Sequence, residues 1–276
     1  MNTLKVILLI SVLSGILIAV GYFIAGKTGM VIALIISVIM NFGSYWYSDS
    51  IVLAMYNAQP ATRENAPVLY DVVSNLAEKA KMPVPKIYII PDKSPNAFAT
   101  GRNEDHAAVA ATVGILKILG RDELEGVIAH ELSHIRHKDI LIGTMAATIA
   151  SAVVVVSNMA RWAAIMGGGG EDVGGTVKLL ATAIIAPVAA TMVQMAISRS
   201  REYYADAGSA KITGNPGALA SSLEKLSVAS RKIPMDANPA TAHMFIVNPL
   251  SGNVVMNLFS THPPLEERIK RLREMR

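Results

Sequence analysis

Four stretches of this chain carry no charged residue: Val6 to Gly26, Thr28 to Ser48, Ile140 to Ala160 and Leu179 to Ser198. Each holds 20 or 21 residues and is bounded by charge on both sides. As a helix, that length spans about 30 Å, the thickness of a bilayer's hydrocarbon core. Lipid offers no partner to backbone amides, so a helix is the favoured form in which such a stretch crosses. Composition agrees: of 276 residues, 52% are hydrophobic and only 17% charged, with a mean hydropathy of +0.40. Soluble domains carry about a quarter charged residues. The pI near 9.2 and net charge of +4 do not imply nucleic acid, because the basic residues are dispersed without interleaved aromatics. A membrane partner explains them better.

The first two windows meet at the tight Gly26-Lys27-Thr28-Gly29 turn with no small-residue cleavage site between them, which predicts a retained hairpin rather than a removed signal. The last two are rich in Ala and Val, and Pro187 interrupts the fourth. They read as a second hairpin, or else as buried helices of the polar body. Their connector, Met166 to Thr176, holds four consecutive glycines and Glu171-Asp172, the composition of an exposed loop. Lys5, Arg63, Arg136, Lys138, Arg199 and Arg201 flank one side of the membrane; Lys27, Arg161 and Lys178 flank the other. The positive-inside rule then places both termini and the polar segments in the cytoplasm of a multi-pass cell (inner) membrane protein. Tyr45, Trp46, Tyr47 and Trp162 stand near helix ends, where amphipathic rings favour the interface.

The organisation expected is a membrane hairpin over 1–48, a first polar part over 49–139, an inserted hairpin over 140–198 and a second polar part over 199–276. In the polar parts, Pro67 to Lys81 has helical periodicity. Lys86 to Ile90, Asn96 to Thr100 and Ala107 to Thr112 read as strands. Asn215-Pro216 opens a helix, Met235 to Asn253 reads as a long loop, and a basic helix begins near Pro264. There are no cysteines, which excludes disulfides, thiol nucleophiles and cysteine metal sites.

Chemistry enters at His130-Glu131-Leu132-Ser133-His134, an H-E-x-x-H pattern. Arg121 to His137 around it is helical, with Leu124, Val127, Ile128, Leu132 and Ile135 as its apolar stripe and Asp122 with Glu125 as the expected cap. Residues four apart share a helix face, so His130 and His134 can each give one ring nitrogen to Zn2+, while Glu131 is placed to take a proton from a water there. A catalytic site needs a third ligand, for which His106, His137, Asp139, Glu202, Asp206, His243 and His262 are candidates. Three ligands strung along one straight helix cannot surround an ion, which disfavours His137 as an exposed polar residue. Glu202 is better placed: with Asp206 at i+4 it shares one helix face. It would bind the metal while Asp206 accepts from the other nitrogen of a ligand histidine. The alternative is that both carboxylates pair with Arg199 and Arg201 on a solvated face.

Taken together, the N-terminal hairpin, Asn96-Ala97-Phe98-Ala99-Thr100-Gly101, His130 to His134, Ser198 to Asp206, and Thr261-His262-Pro263-Pro264 resemble the HtpX family of membrane zinc endopeptidases, relatives of the CAAX prenyl proteases. The resemblance covers essentially the whole chain. It implies a mainly α integral membrane protein with four transmembrane helices and an α+β, zincin-like cytoplasmic protease domain. It implies one zinc per chain held by His130, His134 and Glu202. It also implies that His262 and Arg268 lie near the metal, where they would stabilise the oxyanion. From the residues alone, His262-Pro263-Pro264 reads equally as a helix start and Arg268 as a solvated charge. Asn96, Ala97, Phe98 and Ala99 read as an edge strand for an extended substrate or as an internal strand. The family's role implies unfolded or membrane-protein substrates, a lipid bilayer, no nucleic acid, and quality control under stress. Two other functions fit the pattern less well: dedicated processing of a membrane or lipidated substrate, and a non-catalytic membrane scaffold.

Overall fold

A computed structural model describes residues 2–137, 139–141, 143–144, 199–235, 237–238, 241–247 and 263–275. Helix α1 (Asn2–Met55) opens the chain, and its two apolar windows do not form one rod. Gly26 has φ +59°, a left-handed conformation that glycine adopts without steric cost. Asn41 Nδ2 donates to Ser14 Oγ at 2.9 Å across 27 residues of sequence, which straight helix would hold about 40 Å apart. Gly21 lies so close to Gly29 and Ala33 that a methyl group there would collide. The chain therefore turns back at Gly26, as the glycine-flanked turn predicts. The stretch Gly26–Tyr47 is the one candidate among the described residues for a helix long and apolar enough to cross a membrane. The third window beyond Thr144, the fourth window, their connector, Trp162 and His262 lie outside the described residues.

Four strands follow: β1 (Gln59–Pro60), β2 (Lys86–Ile90), β3 (Ala97–Gly101) and β4 (Ala107–Thr112). They form one sheet in the order β1-β2-β4-β3, with β2 and β4 parallel and the outer pairs antiparallel. β4 is buried on both faces, and its residues alternate between two cores. Ala107, Val109 and Ala111 face the helical layer; Ala108 and Ala110 face Val52, Leu53 and Tyr56 at the foot of α1. A run this rich in alanine suits a strand with layers packed on both sides.

The helical layer comprises α2 (Pro67–Lys79), α3 (Val113–Ile118), α4 (Arg121–Arg136), α5 (Arg199–Thr213), α6 (Pro216–Lys232) and α7 (Leu265–Glu274). Pro67 and Pro216 sit in the first turns of their helices, and Asn215 caps α6 by accepting from Ala218 N–H at 3.2 Å. The helix expected over Pro67 to Lys81 stops at Lys79, and Lys81 has φ +53°. The cap of α4 also differs from expectation. The helix begins at Arg121, so Glu123 holds the third position and its Oε2 accepts from Gly120 N–H at 2.9 Å. Glu125 instead pairs with Arg121 at 3.2 Å. Within the expected loop Met235 to Asn253, residues Ala242–Met244 make a 3₁₀ turn, and Phe245, Ile246 and Val247 are buried.

α4 is the central helix, with Leu124, Val127, Ile128, Leu132 and Ile135 all in the core. It crosses α5 at close range: a Cβ on Gly208 would overlap the Ser133 side chain, and Ser209 Oγ donates to Gly126 O at 2.7 Å. That crossing brings the first turns of α5 against the histidine face of α4.

Candidate metal centre

Glu202, Ala205, Asp206 and Ser209 recur at i, i+3, i+4 and i+7 along α5, and all four are buried. This is the helical spacing of a core stripe, written mostly in polar residues. It faces His130 and His134, which are one turn apart on α4. His130 Nε2 lies 3.1 Å from His134 Nε2 and 3.7 Å from Glu202 Oε2, and His134 Nε2 lies 3.4 Å from Glu202 Oε1. Ligand atoms at 2.0–2.1 Å from a tetrahedral ion stand about 3.3 Å apart. Each nitrogen thus stands from the other, and from one oxygen of the Glu202 carboxylate, at nearly the edge length of a zinc tetrahedron, and the residues present fit a metal ion. Two imidazoles and a carboxylate form the one group of potential ligands so clustered among the described residues.

The surroundings prepare these donors. His130 Nδ1 is 2.9 Å from Asp206 Oδ1, which assigns its proton to that nitrogen and leaves the Nε2 lone pair facing the cluster. Burial, helped by the charges of Arg268 and His134, lowers His130 to about 4 and keeps it neutral. Burial also opposes charge on His134, but hydrogen bonds to Asp139 and Glu202 and the charges of Glu202 and Glu131 outweigh it and raise it to about 10. Burial pushes Glu131 up to about 8; His134 and the Ala99 N–H pull against this and the charge of Glu202 adds to it. Asp206 is held below the usual carboxylate range despite burial, by the Arg268 charge and by hydrogen bonds from His130 and Arg268.

Arg268 is the largest fully buried side chain of the described residues. It lies on the inward stripe of α7 with Leu265, Ile269 and Leu272, which belong to or pack on the main core. Its Nε and Nη2 donate to the two oxygens of Asp206 at 2.9 and 2.7 Å, the parallel arrangement suited to guanidinium and carboxylate. Nη1 lies 3.3 Å from Glu202 Oε2 and 3.4 Å from Ile246 O. The oxyanion role expected of Arg268 needs a donor aimed at the cleft, and these contacts turn its donors toward protein acceptors. His262, the other residue expected there, lies outside the described residues.

The strand at the cleft is β3, an edge of the sheet, which is the first of the two readings its sequence allowed. Asn96 O accepts from Thr112 N–H at 3.0 Å, so the backbone groups of Ala97 and Ala99 point the other way. Ala97 O accepts from Ile246 N–H at 3.1 Å, and Ala99 N–H reaches Glu131. Two expected substrate contacts are otherwise engaged. Asn96 is buried and its Nδ2 donates to Val247 O at 2.9 Å, and Phe98 is buried between Tyr56 and Phe245. Of the remaining candidates, His106 bonds Asn103, and His137 is exposed at the end of α4. Asp139 sits 3.6 Å from His134 Nδ1 and 3.4 Å from Arg201 Nε. His243 lines the cleft wall. Sequence periodicity did not reveal the fork between Asp206 and Arg268 or the clamp of Asn96 on Val247. The polar stripe at 202, 206 and 209 was the available signal for the first.

Helix, edge strand and donor cluster together define the class of HExxH metallopeptidases. Comparison with known proteins narrows this. The model of Peptidase family M48 matches residues 63–276. A Protease HtpX homolog of Desulforapulum autotrophicum is 55% identical over 276 residues, covering 99% of this chain and 89% of that protein. One from Pyrococcus furiosus is 55% identical over 271 residues, covering 97% and 94%. The crystal structure of S. mikatae Ste24p is similar in fold, with a TM-score of 0.51 at 17% identity over 87% of this chain and 57% of that one. The chain belongs to peptidase family M48 and is a metalloprotease of the HtpX type.

Proposed function

We propose that this chain is a membrane-embedded, zinc-dependent endopeptidase that cuts misfolded or damaged membrane proteins on the cytoplasmic side. The observation that carries the catalytic part is the spacing of His130 Nε2, His134 Nε2 and a Glu202 oxygen, within 4.8 Å of one another. Two imidazoles and one carboxylate, with no thiolate, suit zinc. Bound there, the metal supplies a water of lowered pKa and polarises the substrate carbonyl. Glu131, buried beside the ligands and held by Ala99 N–H, takes the proton and delivers it to the leaving amine. Asp206 fixes the tautomer of His130. Arg268 positions Asp206 and Glu202 rather than contacting substrate. His262 remains the proposed oxyanion donor, and the outward carbonyl of Ala99 on β3 accepts from an extended substrate while its N–H stays on Glu131.

The membrane part rests on the four uncharged windows, the turn at Gly26 and the positive flanks. The three boundaries at 48/49, 139/140 and 198/199, together with the chain ends, define the proposed hairpins and the two halves of the catalytic domain. The guanidinium of Arg102, in the turn after β3, lies 4.6 Å from the Trp46 ring centroid. That contact ties the substrate edge to the aromatic end of α1, where the bilayer surface is proposed to lie. The direct test is Glu131→Ala assayed on unfolded casein and on a membrane-protein substrate. Cleavage should fall by about 10²–10⁴-fold with zinc content and helix content retained. Cleavage at the parental rate would remove Glu131 as the base.

A further inference from the structure

Both histidines of the cluster turn Nε2 toward it, and each has a carboxylate facing its other nitrogen. Each carboxylate is held in turn by an arginine. On the first branch, Asp206 stands 2.9 Å from His130 Nδ1 and is gripped by both Nε and Nη2 of Arg268. On the second, Asp139 Oδ2 lies 3.6 Å from His134 Nδ1, and Asp139 Oδ1 lies 3.4 Å from Arg201 Nε. Asp139 and Arg201 line the cleft beside Glu131 and the potential ligands, and their side chains are only 11% and 13% exposed. A pair so shielded from water keeps more of its attraction than a surface pair. The second branch is the looser one. Its contacts are longer, and Arg201 Nη2 is buried with no hydrogen bond among the described residues, so it does not make the fork that Arg268 makes.

The branches also differ in where the chain supplies them. Asp139 N–H donates to His134 O at 3.0 Å, just past the end of α4, and Asp139 O accepts from Gly143 N–H at 3.3 Å, which opens the helix of the third apolar window. Arg201 lies in the first turn of α5, three residues beyond the fourth window. Residues on the way into and out of the 140–198 segment therefore meet each other and the His134 ring.

We infer that Asp139 is a positioning residue for His134, with Arg201 holding it, and that this branch ties the metal site to both ends of the 140–198 segment. An acceptor at Nδ1 keeps the proton on that nitrogen, leaves Nε2 for the ion and restrains the turn of the ring. Asp139 is the carboxylate that faces that nitrogen among the described residues. The inference rests on the reading of His130, His134 and Glu202 as one metal site. Because the branch is loose, the effect expected is the low end of the 10–100-fold that such partners contribute to metal affinity.

The test is zinc affinity of the full chain in detergent, read at fixed pH by competition with a calibrated chelator, with helix content and melting followed alongside. Asp139→Ala removes both the acceptor and the charge and should weaken zinc binding about tenfold. Asp139→Asn removes the charge but keeps an acceptor, and should recover most of that loss. Arg201→Met should weaken binding less than Asp139→Ala does, and should add nothing in the Asp139→Ala background, because Arg201 acts through Asp139. Parental affinity in Asp139→Ala would overturn the proposal. So would equal losses in Asp139→Ala and Asp139→Asn, which would mean that the carboxylate acts by charge or by holding the fold. Additive losses from Asp139→Ala and Arg201→Met would remove Arg201 from the branch. If Asp139→Ala does not fold, Asp139→Ser replaces it, since serine also favours a helix start but its hydroxyl is one bond shorter. His134→Ala is the control. Zinc retained there would sink the metal reading and this one with it, whereas zinc lost there but held at parental affinity in Asp139→Ala would overturn the positioning role only.

Discussion

α4 and α5 lie against each other and between them supply the three potential metal ligands, yet they are built on opposite plans. α4 is held by grease: Leu124, Val127, Ile128, Leu132 and Ile135 fix it in the main core on most of its circumference. The two histidines ride on a helix whose position is already settled. α5 turns a polar stripe to the same neighbour. Its place is set by Ser209 on Gly126 O, by Asp206 on His130 and Arg268, and by Glu202 beside both histidines. The scaffold thus holds one ligand-bearing helix independently of the site, while the site helps to hold the other. Fold and metal affinity should therefore respond differently to changes on the two helices.

The largest separation is expected from the core of α4. Leu132 is fully buried one residue beyond the catalytic glutamate, and Leu132→Ala should cost about 2–5 kcal/mol of stability. Denaturant or thermal melts in detergent would read this; a loss below 1 kcal/mol would mean that α4 is not the fixed element. On α5, Asp206→Asn keeps one oxygen for His130 but loses the charge and the second acceptor that Arg268 uses, so it should weaken zinc binding about 10–100-fold and also lower stability, because Arg268 stays buried without its full partner. Competition with a calibrated chelator measures this. Unfolding without any change in affinity would show that the carboxylate serves the fold and not the site.

A gentler probe is pH. Without metal, His134 keeps its proton up to about 10 and His130 is neutral above about 4. Zinc must displace the His134 proton, so its apparent affinity should rise about tenfold per pH unit between 6 and 8. Flat affinity over that range would mean that His134 is already deprotonated or is not a ligand.

The same contrast explains what was legible in the sequence. α4 announces itself through an apolar stripe and a pair of histidines four apart, and the turn at Gly26 through glycine and a change of hydropathy. β2, β3 and β4 fall close to where their alternation places them. α5 was readable as a plausible ligand helix only because Glu202 and Asp206 share a face. Nothing local distinguishes a buried carboxylate from a solvated one. Arg268 is harder still: in a helix of Glu, Lys and Arg its burial depends on Asp206, which is 62 residues away. The helix α4 starts at Arg121 as its sequence indicates, but its cap is Gly120 and not Asp122, so the reaching carboxylate is Glu123 and not Glu125. Thr241 to Val247 show no periodicity because they are held by irregular contacts, Thr241 and Phe245 on Tyr56 and Ile246 and Val247 on Ala97 and Asn96.

The central claim is that side chains from α4 and α5 share one metal ion. Metal analysis of the purified chain beside Glu202→Ala and His137→Ala tests it most directly. The account predicts about one zinc per chain in the parent and in His137→Ala, and near-complete loss of zinc in Glu202→Ala with helix content preserved. Full zinc occupancy in Glu202→Ala would contradict it.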